Sequence, residues 1–101
     1  MDLSQATWTD VRAYDADLAL LPVGSTEQHG PHAPRGTDAI AAEIVADAAA
    51  DAADRPVVVA PAIDLGVAEE HRAFDGTMWV RPDTFRAVIR DAVESLAHHG
   101  I

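Results

Sequence analysis

The sequence predicts a parallel α/β fold, three-layered as α/β/α with helices on the sheet faces, and three observations predict it. Residues 18–23 and 57–60 are apolar runs without polar alternation, the pattern of strands buried on both faces. A helical periodicity over residues 38–54 separates them, so strand, helix and strand follow in the order of a right-handed βαβ unit. A second helical pattern, over residues 82–99, comes after the second strand, as it does where strands and helices alternate along a doubly wound chain.

Ahead of the first strand, residues 1–16 are polar and mixed; the stretch from Thr9 to Tyr14 forms a short helix capped by Thr9 or Ser4. Pro22 removes one ladder donor, so the first strand ends near it. In the first long helix, Ala41, Val45, Ala48 and Ala52 recur on one face with Ile44 beside them, while Glu43, Asp47, Asp51 and Asp54 gather opposite. Small alanines let such a helix lie close against a sheet. Acidic residues near its C-terminal end oppose the macrodipole, so the helix relies on packing. Pro56 introduces the β-branched second strand. Residues 61–80 have little periodicity beyond a short strand at 77–80; a loop this long is functional or disordered, and Phe74 and Trp79 argue for order. Pro82 opens the last helix, whose apolar stripe is Phe85, Val88, Ile89, Ala92 and Leu96, and Gly100 stops it.

At 101 residues the chain is one domain at most, covering 1–101. Its formal charge is −10, from seventeen acidic residues against seven basic ones, all arginine. Such a surface disfavours nucleic acid and anionic membranes, which require clustered positive charge. A high-salt cytoplasm and a GC-rich genome each account for the composition. With no cysteine, disulfides, thiolate-bound zinc and thiol catalysis are excluded. The N-terminus lacks a basic segment followed by an apolar one, and no apolar run approaches the ~18 residues that span a bilayer. These features lead us to expect a soluble cytoplasmic protein.

Chemistry concentrates in residues 24–38, between the first strand and the first long helix. Glu27, His29, His32 and Asp38 bring carboxylates and imidazoles, ligands that zinc and manganese accept, into a loop that glycine and proline bend. The run Leu21-Pro22-Val23-Gly24-Ser25-Thr26-Glu27-Gln28-His29-Gly30-Pro31-His32, closing on Thr37-Asp38, resembles the creatininase (creatinine amidohydrolase) family. A second block, Pro61 to Gly66 and then Glu70-His71-Arg72-Ala73-Phe74-Asp75-Gly76-Thr77, is similar to that family's second motif, in which Glu-His and two further residues precede Phe-Pro-Gly-Thr. The resemblance covers essentially the whole chain, yet only the first part of the family. An Asn-Gly-His-Gly-Gly-Asn-type motif with further metal ligands is expected downstream, so the chain is expected to be an N-terminal portion or one piece of a split protein.

The resemblance implies a two-metal amidohydrolase using zinc or manganese, with Glu27, His29 and Asp38 at its first three ligand positions and Asp38 bridging the ions. It implies hydrolysis of a non-peptide C–N bond, a cyclic amide or formamide, in a small-molecule amide substrate. A homo-oligomer, often a hexamer, is the family's usual assembly. The alternative is a truncated, non-catalytic remnant or an interaction module that requires a complementing chain; either would expose an unpaired sheet edge and an apolar helix face. A solvated Glu-x-His loop, with Asp38 as a helix N-cap, is the bland reading of the same residues. His32 is a candidate for orienting a ligand or touching substrate, or else a loop histidine bonded to backbone. Glu70 and His71 are candidates for the active-site rim, or else a structural hydrogen-bonding pair. His98 and His99 point about 100° apart and read as a solvated helix end. Two departures from the family pattern stand out, Ala33-Pro34-Arg35-Gly36 before Thr37-Asp38, and Asp75 where the motif has proline.

Overall fold

Val57, Val58, Val59 and Ala60 are all buried, and because successive strand side chains point to opposite faces, this run must be covered on both. The structure, a computed structural model, describes residues 1–101. The elements in order are α1 (Trp8–Tyr14), β1 (Ala19–Leu20), α2 (Thr37–Ala52), β2 (Val58–Val59) and α3 (Pro82–His98), with a 3₁₀ turn at Glu69–His71. β1 and β2 pair in parallel, with Ala19 opposite Val58 and Leu20 opposite Val59. The ladder continues past β1, where the Ile63 N–H donates to the Pro22 carbonyl at 3.0 Å and the Gly24 N–H to the Ile63 carbonyl at 2.8 Å. The fold is α/β with a parallel sheet and flanking helices, as the strand and helix patterns predict.

The first three residues, ahead of any element the sequence predicts, complete the other side of β2. The Val59 N–H donates to the Met1 carbonyl at 2.8 Å, the Leu3 N–H to the Val59 carbonyl at 2.9 Å, and the Met1 ammonium to the Val57 carbonyl at 2.8 Å. β2 is therefore central. The outer edge of β1 is open, because alternate backbone groups there, those of Ala19 and Leu21, face away from β2 and form no ladder bond.

Several elements differ from their expected form. The first helix starts at Trp8 under a Thr7 cap, not Thr9 or Ser4: Thr7 accepts from the Asp10 N–H while the Asp10 carboxylate accepts from the Thr7 N–H, a reciprocal box. α2 turns a different face inward. Ala39 and Ala46 are buried and Ala42 and Ala50 half-buried, whereas Ala41, Val45, Ala48 and Ala52 are exposed. Alanine surrounds this helix, so its apolar period is degenerate, and the side without bulk packs closest to β2. Ile40, Ile44 and Val45 are left 48%, 63% and 67% exposed. The expected strand at 77–80 is a single antiparallel bridge between Thr26 and Met78. Along α3, Phe85, Ile89, Ala92 and Leu96 are half-buried as expected, but Val88 is exposed, and Gly100 ends the helix at positive φ.

The accessible surface is 6788 Å², against roughly 5,500 Å² for a compact chain of this mass. Exposed apolar residues on α2, among them Ile40, Ile44 and Val45, and the free edge of β1 contribute to that surface.

Candidate metal centre

The loop of residues 24–38 is fastened at both ends and in the middle. At its start Gly24 leaves no space for a side chain, since a Cβ there would sit 2.5 Å from the Ala39 Cα. The Thr26 hydroxyl donates to the Asp64 carbonyl at 2.7 Å, and the Met78 N–H to the Thr26 carbonyl at 2.9 Å. The Glu27 N–H donates to the Arg35 carbonyl at 3.1 Å, which closes the loop on itself. α2 then begins at Thr37 with Gly36 as N-cap and no side-chain cap bond. Asp38 is thus the second residue of the helix, which overturns the N-cap reading and leaves its carboxylate aimed at His29.

Glu27, His29 and Asp38 come together, with one ligand atom from each lying within 4.8 Å of the others. An ion about 2.1 Å from each ligand atom holds them up to about 4.2 Å apart, so a small contraction suffices. The hydrogen bonding points the same way. His29 Nδ1 lies 3.1 Å from the Glu27 carbonyl, which can only accept, so Nδ1 carries hydrogen. Nε2 lies 3.0 Å from Asp38 Oδ1, another acceptor. In a neutral imidazole this opposes two lone pairs, and a cation must lie between them, either a proton or a metal ion. The Glu27 carbonyl raises the His29 pKa first, against an opposing effect of burial, and Asp38 raises it further. The donor set and its geometry therefore fit a divalent ion.

Glu70 and His71 form a second group around Glu27. His71 Nε2 lies 3.8 Å from Glu27 Oε2 and 4.0 Å from Glu70 Oε1. The Gln28 side chain determines how the ring is protonated. Its Oε1 accepts from the Gly30 N–H at 2.9 Å, so its amide nitrogen is the atom 3.2 Å from His71 Nδ1. Nδ1 accepts, and Nε2–H faces the two carboxylates. His71 in this state donates toward Glu27 and offers no lone pair there. Ser25 Oγ donates to Glu27 Oε2, at 3.2 Å.

His32, by contrast, is exposed, joins neither group and lies over Gly30. His98 and His99 meet edge to face at the exposed end of α3. Sequence reasoning passed over Ser25 and Gln28; both lie inside the motif, two residues before and one after Glu27. A concavity between α1 and the end of α3, around Trp8, Leu96 and Ile101, lies apart from these ligands.

The model of the creatininase family, creatinine amidohydrolase, matches residues 4–101. The chain belongs to the creatininase family. The mycofactocin precursor peptide peptidase of Mycobacterium tuberculosis is 37% identical over 95% of this chain and 41% of its own length, and that of Mycolicibacterium smegmatis is 48% identical over 60% and 26%. Among solved structures, a protein of Bacteroides fragilis assigned as a creatinine amidohydrolase superposes at a TM-score of 0.84 and 29% identity, covering all of this chain and 42% of its own. A tryptophan-to-alanine variant of creatininase superposes at 0.86 and 27% identity, over 98% and 41%. The three-layer α/β/α class follows from these neighbours. This chain of a hydrolase family spans about two-fifths of the length of the relatives it matches across most of its residues.

Proposed function

We propose that this chain supplies the first half of a divalent-metal site in a hydrolase that cleaves C–N bonds at a carbonyl carbon. The observation that carries the reading is the contact of His29 with Asp38, two groups that need a cation between them, with Glu27 beside it. Zinc or manganese would be held by Glu27, His29 and Asp38, and when bound it supplies Lewis acidity and an activated water. The chain's own residues prepare the site. The Glu27 carbonyl orients His29, while Ser25 donates to the Glu27 carboxylate and His71 turns its ring N–H toward it at 3.8 Å, which together hold it turned into the loop.

The related mycobacterial proteins are named for action on a peptide, and the structural neighbours for creatinine or creatininase. The step common to both is addition of water to an amide-type carbonyl, so we extend the expected cyclic amide or formamide substrates to peptide amides. The open β1 edge and the exposed Ile40, Ile44 and Val45 support assembly with a complementing chain that brings further ligands, in preference to action by this chain alone. A homo-oligomer in the cytoplasm remains part of the proposal.

Metal content of the purified chain tests the reading, with Glu27→Ala and Asp38→Ala as controls. Zinc or manganese near stoichiometric in the wild type and lost from both variants is the expected result. Amide hydrolysis should then emerge when the downstream portion of a relative is added. Absence of both ions from the wild type, even with that downstream portion present, would overturn it.

A further inference from the structure

The two departures from the family pattern, Arg35 and Asp75, meet in space. Arg35 Nε donates to the Asp75 carbonyl, and the guanidinium lies close against Gly76, where a Cβ would come within 2.8 Å of Cζ. Gly76 has φ +84°, in the left-handed region, so glycine serves both the turn and the close approach. The guanidinium is thereby held by one edge. Its terminal groups, Nη1 and Nη2, donate to nothing in the chain, and no carboxylate pairs with them. Arg72, the other arginine of the two motif loops, is paired with Glu69 at 3.1 Å. The Arg35 carbonyl bonds directly to the Glu27 N–H, and one short turn carries both His71, beside Glu27, and Asp75, beside Arg35.

We infer that Arg35 is a carboxylate-binding subsite beside the metal ligands, which anchors the free carboxylate end of a short acyl-amino acid or peptide. A fixed fork whose Nη1–Nη2 edge is open matches a planar monoanion in bidentate fashion. One guanidinium in a chain of net charge −10 is too little for a dianionic phosphate, whose usual sites combine several donors and cations. The Asp75 and Gly76 cradle removes much of the side-chain freedom that a carboxylate would otherwise have to restrict. Use of the subsite in catalysis rests on the hydrolase reading, but its binding does not.

The test uses the 101-residue chain stripped of metal by a chelator and then dialysed free of it, so that neither metal nor chelator competes for the carboxylate. N-acetyl-dialanine and its C-terminal amide are titrated while the Arg35 Nε–H and the Asp75 and Gly76 amides are followed by NMR. The free acid should bind roughly fivefold to tenfold more tightly than the amide, as expected for a partly exposed charge-assisted pair. Arg35→Gln should bring the ratio to unity, Arg35→Lys should keep part of it, and Gly76→Ala should lower it by loosening the cradle. Equal binding of acid and amide by the wild type overturns the subsite, as does an unchanged ratio in Arg35→Gln. Should Arg35→Gln fail to fold, the wild type still decides: acid-dependent shifts at Arg35, Asp75 and Gly76 support the inference, and shifts confined elsewhere sink it. Metal content measured on the purified chain before any chelator is added, with and without the downstream portion, separates the two ideas. A wild type without metal that still prefers the acid removes the hydrolase reading and keeps the subsite, and the reverse pattern does the opposite.

Discussion

Glu27 stands between two groups of the same residue types that behave oppositely. Toward His29 and Asp38, acceptor faces acceptor, and the arrangement is incomplete without a cation. Toward His71 and Glu70, a ring N–H faces carboxylates at 3.8 and 4.0 Å, and no two acceptors are opposed. The difference comes from what each imidazole's far nitrogen meets: a carbonyl that accepts in one case and an amide that donates in the other. Ligand counting alone would treat the groups as equivalent, whereas the tautomer assigns one to the ion and the other to support of its ligand.

Four changes test that contrast, in order of decreasing effect. Glu27→Ala removes the shared residue and should cut metal affinity by more than the roughly 100-fold that bounds outer-shell losses; titration with zinc under a competing chelator measures it. Asp38→Asn should weaken binding almost as far, because it replaces one of the two acceptors that the ion must separate. His71→Ala should cost only about tenfold, the scale of a group that orients a ligand. A loss as large as that of Glu27→Ala would make His71 a ligand and erase the distinction. Gln28→Glu is the reverse experiment. A carboxylate accepts from His71 Nδ1–H, turns the Nε2 lone pair toward Glu27, and should tighten binding a few-fold or admit a second ion.

Acidity sharpens the same contrast. In the metal-free chain the His29 pKa is raised above its ordinary 6.5, first by the Glu27 carbonyl and further by Asp38, with burial opposing. Its contribution to stability is therefore fully present below that ordinary value and is lost as pH climbs through the raised one. Metal binding runs the other way, since the ion replaces the proton, so affinity should rise with pH across the same window. Melting curves and metal titrations at several pH values, with His29→Gln as the reference, should show the two opposed trends.

Much of this was legible in the chain. Uninterrupted β-branched residues identify β2, and a single segment holds Glu27, His29 and Asp38, so the first group needs only a bent loop to assemble. What was not legible depends on long-range placement. His71 reaches Glu27, and Asp75 reaches Arg35, only after residues 61–80 fold across the first loop, and no local propensity specifies that crossing. Met1 to Leu3 carry no strand signal, yet the open side of β2 recruits them. The inward face of α2 was misread because alanine occupies both sides, and the side lacking bulk is the one that packs closest.

Gly24 shows how a position can be intolerant without being chemical. Every codon change that replaces it adds at least a Cβ, and that atom would strike the backbone of Ala39. In a randomised library selected for hydrolysis, Gly24 should be depleted as severely as Glu27, although it touches no ligand. A parallel selection for folded protein alone would keep depleting Gly24 and release Glu27. Only their divergence between the two screens would distinguish a spacer from a catalyst's ligand.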